Sequence, residues 1–150
     1  MSVSVIRSKL NTRLSAISAV GIVHDFKRLV MTWSDFETKF VESSKVNTWI
    51  IQRYNGSVYS WDQRNVGGVN PLRTFEVWGL LSLSDADESE KDFDDIVAAV
   101  EDDFSNNRIL DTAFYKIEAI TTSLDEYQFC GVLCNRCVLT LQIREHKEYV

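Results

Sequence analysis

The sequence predicts an α+β fold of two layers, in which about two main helices pack on one face of a mixed or mainly antiparallel sheet. Two segments carry apolar residues at helical spacing. Several others alternate apolar and polar residues, as half-buried strands do. The chain has 150 residues, 45% of them hydrophobic, which fits a single domain spanning residues 1–150.

The first predicted helix covers residues 4–18. Four apolar residues within it recur at intervals of four, four and three, which places them on one helical face. They are Ile6, Leu10, Leu14 and Ile17. Gly21 is the expected stop signal, and residues 20–30 are expected to form a short strand or an extended connection.

A second, short helix is predicted over residues 32–43. Ser34 is the predicted N-cap, because Glu37 follows it at the capping-box distance. The apolar stripe of this helix would consist of Trp33, Phe36, Phe40 and Val41. The alternative is a long loop that the aromatic side chains hold in place.

The middle of the chain combines a strand, an acidic turn and an amphipathic helix within residues 74–106. We predict the strand over residues 73–84 and the turn over residues 85–90, and the helix then continues to Asn106. The helix stripe is Phe93, Ile96, Val97, Val100 and Phe104. Acidic residues at its start interact favourably with the helix dipole. They are Asp87, Glu88 and Glu90.

A hairpin is predicted in front of this segment. Residues 46–54 read as a strand, and Asn55-Gly56 is the strongest signal for a type I′ turn, because both central positions need positive φ. Residues 57–64 would be the returning strand. Residues 65–71 contain a Gly-Gly pair and the only proline, so they are predicted to be a loop.

Three strands are predicted in the last third of the chain, over residues 113–122, 127–134 and 137–145. Residues 123–126 would form the turn between the first two. The last strand should point four residues inward, because they alternate with polar ones. They are Cys137, Leu139, Leu141 and Ile143.

The charge balance limits the classes of partner. The formal net charge is −6, which argues against unaided binding to nucleic acid, where Lys and Arg must neutralise phosphates. No apolar run approaches the ~20 residues that span a bilayer, and the N-terminus lacks the pattern of a signal peptide. We therefore expect a cytosolic site of synthesis, no membrane partner and no sequence-specific nucleic acid.

Three cysteines, Cys130, Cys134 and Cys137, are the main candidates for a metal site. With His24 or His146 as a fourth ligand they could hold zinc. The spacing has no second pair, however, and Cys137 shares an alternating face with leucines, so thiols in the core are the favoured interpretation. The acidic turn lacks the offsets of a calcium loop, and its residues are better explained as helix N-terminal acids.

No catalytic residue is predicted, and we expect a protein that is not an enzyme and needs no cofactor. No serine or cysteine has a recognisable nucleophile setting. Gly67-Gly68 is followed by a predicted strand, whereas a phosphate loop precedes a helix. The arginines around this loop could form a basic patch; scattered surface arginines are the alternative, although Arg is enriched in protein interfaces.

Residues 74–104 resemble the central segment of phage tail terminator proteins, also called tail-completion or minor tail proteins of the lambda-like type. From Phe75 onward the segment reads FEVWGLLSLSDADESEKDFDDIVAAVEDDF. The N-terminal IRSKLNTRLSAISAVGIVHDF is similar to the opening helix of that family, and LTLQIREHKEY is similar to its final strand. Residues 32–44 and the three cysteines lie outside the resemblance.

The resemblance implies a structural virion protein that is assembled in the host cytoplasm. Such proteins form a homo-oligomeric ring, typically a hexamer, at the head-proximal end of the tail. The ring stops polymerisation of the tail tube and joins the tail to the head. The implied partners are further copies of the chain, the tail-tube protein and the head-side connector or neck proteins. No catalytic residue or cofactor is implied.

Ring contacts are expected at an open sheet edge or an exposed loop. The candidates are Arg53, Arg64, Gly67, Gly68 and Arg73. Two alternatives lie in the same particle: a neck or head-completion protein, and a tail-tube protein. A small zinc-binding or thiol-based cytosolic protein is an alternative of another class, and so is an adaptor that pairs through a sheet edge.

Overall fold

A computed structural model describes residues 3–28, 32–42, 44–59, 70–84, 88–110 and 115–145. Within these residues the chain forms three helices and six strands. The helices are α1 (Val3–Ser15), α2 (Trp33–Phe40) and α3 (Ser89–Asn106). The strands are β1 (Ile22–His24), β2 (Val41–Glu42), β3 (Lys45–Val58), β4 (Leu72–Ser82), β5 (Tyr115–Phe129) and β6 (Val132–Glu145).

The strands form one mixed sheet of order β1-β3-β4-β6-β5, with β2 also paired to β3. Strand β1 runs parallel to β3, and the other pairs are antiparallel. The prediction of an α+β fold with a mixed sheet is confirmed.

The largest apolar cluster joins α1 and α3 to the sheet. Ile6, Leu10 and Leu14 of α1 are buried in it, as the helical spacing predicted. The α3 residues buried there are Phe93, Val97, Val100 and Phe104, with Ile96 partly buried. The inward face predicted for the last strand is also confirmed, since Cys137, Leu139, Leu141 and Ile143 belong to this cluster.

A second, smaller apolar cluster surrounds α2. Its buried members are Phe36, Phe40, Val46, Ile50, Leu80 and Cys134. Strand β3 supplies both clusters, because Trp49 and Ile51 enter the first while Ile50 between them enters the second. Successive side chains of a strand point to opposite faces, so both sides of the sheet carry apolar packing here.

The predicted short helix exists, but its N-cap is Thr32 and not Ser34. The Thr32 hydroxyl accepts a hydrogen bond from the backbone N–H of Asp35 at 3.1 Å. The helix therefore begins two residues earlier than the capping-box pattern indicated. An ion pair between Asp35 and Lys39, one turn apart, adds to the helix.

The predicted hairpin at Asn55-Gly56 is wrong. Strand β3 continues through these residues to Val58, and its register against β4 shifts between Tyr54 and Gly56. Gly56 does have a positive φ, 105°, but the chain uses it for a bulge within the strand and not for a turn. Of the predicted returning strand, residues 60–64 lie outside the described residues.

The predicted turn at residues 123–126 is also wrong, because these residues lie inside β5. The turn occurs at Cys130 and Gly131, with φ of 50° and 85°, between the paired residues Phe129 and Val132. Two residues with positive φ at a two-residue connection are typical of a type I′ hairpin. Two long strands therefore replace the three that were predicted.

The start of α3 differs in detail from the predicted acidic N-terminus. Glu88 occupies the N-cap position in the left-handed region, with φ of 53°, and its side chain makes no capping hydrogen bond. The Ser89 hydroxyl instead accepts a hydrogen bond from Ser84 N–H at 2.8 Å. Glu90 and Asp92 are the acidic residues of the first turn. Asp87 lies outside the described residues.

Candidate interaction surfaces

The structure places the two described residues of the predicted interface, Arg53 and Arg73, on opposite faces of the sheet. Arg53 is exposed on β3, next to Glu76 of β4 in the sheet register. Arg73 is only 7% exposed and lies on the other face of β4, three residues from Glu76. The prediction that Arg73 is a surface residue is therefore wrong. Arg64, Gly67 and Gly68 lie outside the described residues.

Arg73 is the centre of a buried polar network. Its guanidinium forms an ion pair with Glu145, with 3.0 Å between Nη2 and Oε2, and its Nε donates to the same oxygen at 3.0 Å. Its Nη1 donates to the Tyr54 hydroxyl and to the Ser57 hydroxyl, each at 3.1 Å. The network thus joins β4 to the end of β3 and the end of β6.

Burial and charged neighbours shift the pKa of Arg73 and that of Tyr115, which lies opposite Glu145 in the sheet register. Burial by itself acts to lower the pKa of Arg73, but hydrogen bonds with Tyr54 and Glu145 and the charge of Glu145 outweigh it and raise the pKa. Burial and the nearby Glu145 charge raise the pKa of Tyr115, although Arg73 opposes them. The Arg73 guanidinium is therefore a fixed internal cation that holds this end of the sheet together.

Further hydrogen bonds hold Asn70 and Pro71, the residues immediately before β4. Arg144 donates to the Asn70 carbonyl at 2.9 Å, and Glu145 N–H donates to the Pro71 carbonyl at 3.0 Å. Arg144 also pairs with Glu118 at 2.5 Å. The two residues that precede β4 are thus held to the C-terminal end of β6.

A partly exposed cluster lies on the same side of the sheet as Leu80. We call it the aromatic–arginine patch, and its members are Glu76, Trp78, Asp125, Tyr127 and Arg136. The Arg136 guanidinium lies 4.7 Å from the Trp78 ring centre and 4.3 Å from the Tyr127 ring centre. These distances are within the range of cation–π attraction.

Polar contacts fix the same patch. Arg136 Nε donates to Asp125 Oδ1 at 2.8 Å, and its Nη2 pairs with the other carboxylate oxygen. This contact is the main reason that the pKa of Asp125 is lowered. Trp78 Nε1 donates to Glu76 Oε1 at 2.7 Å. The sequence reading missed this patch, because only the pairing of β4, β5 and β6 brings its residues together.

The three cysteines do not meet. Cys130 is exposed in the hairpin turn, while Cys134 and Cys137 are buried in different apolar clusters on opposite faces of β6. Burial raises the pKa of Cys134 and that of Cys137 to about 12 each, so both are neutral thiols near pH 7. This geometry contradicts a zinc site shared by all three and supports the interpretation of two of them as core residues.

The histidines do not complete such a site either. His24 Nε2 is 2.7 Å from the Lys39 carbonyl oxygen, and His146 lies outside the described residues. No group of three His, Cys, Asp or Glu residues in the described part of the chain is arranged to hold a metal ion.

No helix that the structure describes is both long and apolar enough to cross a membrane. A scan against models of protein families finds no match to this chain. A search of curated proteins finds no matching sequence.

Proposed function

We propose that this chain is a structural virion protein of a tailed phage. In this proposal it forms a homo-oligomeric ring, a hexamer, at the head-proximal end of the tail, where it ends tube polymerisation and joins the tail to the head connector. The resemblance of residues 74–104 to tail terminators is the basis. In the structure this segment contributes most of β4 and the body of α3, the strand and helix that the resemblance implies.

The proposal includes a two-layer arrangement in which α1 and α3 are the two main helices on one face of the sheet. Both helices contribute buried residues to the same apolar cluster, which supports this arrangement. The opposite face then carries α2 at one end and the aromatic–arginine patch beside it, and it is available to other proteins of the tail.

The observation that carries an assembly role is the fixed geometry of the patch. Trp, Tyr and Arg are the residues that most often dominate binding energy in protein interfaces. Here Arg136 is already held by Asp125 and by two rings, so less side-chain entropy is lost when a partner binds. A half-exposed, preorganised surface of this kind suits a contact with another protein of the tail.

Arg53, Arg64, Gly67 and Gly68 remain proposed contact residues of the ring. Arg53 supports this because it is exposed in the register position beside Glu76, a member of the patch. Arg73 has a different role in the proposal. It acts from inside the chain, by holding the ends of β3 and β4 in position.

The direct test is the native mass of the purified full chain, with electron microscopy of the particles and measurement of bound zinc. A zinc-free closed ring of about six subunits is expected, because heterologous contacts close into a ring when the rotation permits. A monomer with stoichiometric zinc would overturn the proposal in favour of the zinc-binding alternative. Open-ended tubes would identify a tail-tube protein instead.

Arg53 can be tested in the same assay. Arg53→Glu is expected to shift the ring toward smaller species, whereas Arg53→Lys, which keeps the charge, is expected to leave it assembled. If the ring tolerates Arg53→Glu, the contact assignment of Arg53 is wrong while the ring itself stands. Immunogold labelling of phage particles then distinguishes the tail end from a neck or head-completion position.

A further inference from the structure

An acidic groove lies between α3 and the hairpin of β5 and β6. Seven residues line it: Glu90, Phe93, Asp94, Leu124, Asp125, Glu126 and Asn135. The cavity has a volume of about 220 Å³. A second cavity of about 260 Å³ adjoins it and shares Glu90, Glu126 and Asn135. The groove lies beside α3, and it adjoins the aromatic–arginine patch at Asp125, which belongs to both.

Of the four carboxylates that line the groove, only Asp125 forms an ion pair with a described residue, Arg136. Glu90, Asp94 and Glu126 are exposed, and none of them forms an ion pair with a described residue. The nearest lysine in sequence, Lys91, pairs with Glu88 instead. Glu90, Asp94 and Glu126, which have no ion-pair partner among the described residues, create a negative potential that favours a positively charged ligand.

Asn135 gives an independent indication of a ligand. It is 7% exposed and lines both cavities, and its Nδ2 is buried without a hydrogen-bond partner. Buried polar groups are nearly always hydrogen-bonded, since leaving one unpaired is destabilising. A backbone carbonyl from a bound segment would supply the missing acceptor.

The groove also has an apolar wall that narrows the choice of ligand. Leu124 is 52% exposed beside the carboxylates, and the buried Phe93 also lines the groove. The groove carboxylates do not form a metal site, because no group of three His, Cys, Asp or Glu residues in the described part of the chain is arranged to hold a metal ion. The fitting ligand is therefore a peptide segment with a cationic side chain and an apolar side chain.

The chain itself carries such a segment at the opposite edge of the sheet. Residues 26–28 follow β1, and Phe26 is 53% exposed next to the exposed Lys27. The Arg28 guanidinium lies 4.9 Å from the Phe26 ring centre. Aromatic and basic groups are thus presented together at the β1 edge.

The sheet register aligns residues 26–28 and the acidic groove with opposite ends of one row of paired residues. Val23 of β1 pairs with Trp49, and the row continues through Gly79 and Cys137 to Leu124 of β5. The basic segment begins three residues after Val23, and the groove contains Leu124. One row of the sheet therefore leads from the cationic edge to the acidic edge.

We propose that copies of this chain dock head to tail, with residues 26–28 of one copy seated in the acidic groove of the next. Lys27 faces Glu126 and its acidic neighbours, Phe26 packs on Leu124, and Asn135 Nδ2 donates to a backbone carbonyl of the incoming segment. The two contacting surfaces differ, so the contact is heterologous and generates a closed ring when the rotation permits. This inference rests on the proposed ring and adds a subunit contact to the one proposed at Arg53.

Charge reversal tests the contact in the native-mass assay. Glu126→Lys and Lys27→Glu each place like charges across every subunit contact, and each is expected to weaken assembly roughly tenfold or more. Asp102→Lys makes the same charge change on an exposed residue of α3 outside the groove, and is expected to leave assembly within about twofold of the wild type. Circular dichroism and thermal unfolding verify that all variants are folded.

Rescue experiments separate this contact from a general charge effect. The double variant Lys27→Glu/Glu126→Lys restores opposite charges and should assemble again. Mixing the two single variants should give rings in which they alternate. If wild-type rings form and both reversals leave them intact, or if neither combination rescues them, the groove contact is wrong while the ring remains. If the wild type is monomeric, both proposals fail.

Discussion

Arg73 and Glu145 form an ion pair inside the protein, with 3.0 Å between nitrogen and oxygen and side chains that are 8% and 3% exposed. Removing one partner of a buried pair leaves the other charge without compensation, which typically costs about 3–5 kcal/mol. Glu145→Ala is therefore expected to lower the free energy of unfolding by roughly that amount. Urea unfolding followed by tryptophan fluorescence measures it.

Two further variants show whether the loss comes from the unpaired charge. Lys91→Gln breaks the exposed pair with Glu88 and should change stability by less than about 1 kcal/mol. Arg73→Met/Glu145→Leu removes both charges, and it should be more stable than Glu145→Ala alone. A double variant as unstable as the single one would show that packing, and not charge, dominates this site.

Position 79 has no room for a side chain, because the Trp49 ring packs against the Gly79 backbone. A Cβ atom at position 79 would lie 2.5 Å from two carbons of that ring, and Trp49 is 1% exposed, so it has little room to move. Overpacking of this kind typically costs about 1–3 kcal/mol, and we expect Gly79→Ala to lower the free energy of unfolding in that range.

A substitution of Trp49 tests whether the stability loss of Gly79→Ala comes from this contact. Trp49→Phe makes the ring smaller and should relieve the clash. The combined variant Gly79→Ala/Trp49→Phe should therefore lose less stability than the sum of the two single variants. Additive losses in this double-mutant cycle would contradict the proposed close contact.

The hairpin turn between β5 and β6 offers a stabilising substitution. Cys130 has φ of 50° and Gly131 has φ of 85°. Asn tolerates the left-handed region better than Cys does, and Asn-Gly is the preferred pair for a type I′ turn. Cys130→Asn should raise the free energy of unfolding by up to about 1 kcal/mol, while Gly131→Ala should lower it by a similar amount. A stability loss on Cys130→Asn would contradict the turn.

Local periodicity was sufficient to predict the helices. Ile6, Leu10 and Leu14 are buried because 3.6 residues per turn place them on one face, and no distant contact is needed to infer this. Turn chemistry was less reliable. Asn55-Gly56 forms a bulge and Cys130-Gly131 forms the turn, because a glycine of positive φ suits both structures and strand pairing decides between them.

The contacts of the candidate surfaces depend on register and could not be inferred from spacing. Arg136 meets Trp78 because β4 and β6 pair antiparallel, with Leu80 opposite Arg136 and Trp78 opposite Val138. Likewise, the buried charge of Arg73 is compensated by an ion pair with Glu145. Glu145 is 72 residues away in the sequence, at the end of β6. Charge alone suggested a surface position for Arg73, since a paired arginine and an exposed one look the same in the sequence.

The pair of Asp125 and Arg136 predicts a pH dependence of stability. Hydrogen bonding to Arg136 lowers the pKa of Asp125 in the folded state. A lowered carboxyl pKa contributes stability above the unfolded-state pKa, about 3.9, and this contribution is lost as the pH falls through the folded-state pKa. Since the Asp125 side chain is 43% exposed, solvent screening keeps the contribution below about 1 kcal/mol.

Asp125→Asn should therefore be slightly less stable than the wild type at pH 7, and the difference should shrink as the pH falls below about 4. Urea unfolding of both proteins across this pH range isolates the pair, because the other carboxyl groups are common to both. The difference at pH 7 should also fall in 1 M salt, which screens exposed charges beyond about 3 Å. A difference that is constant with pH would show that the Asp125 charge does not stabilise the patch.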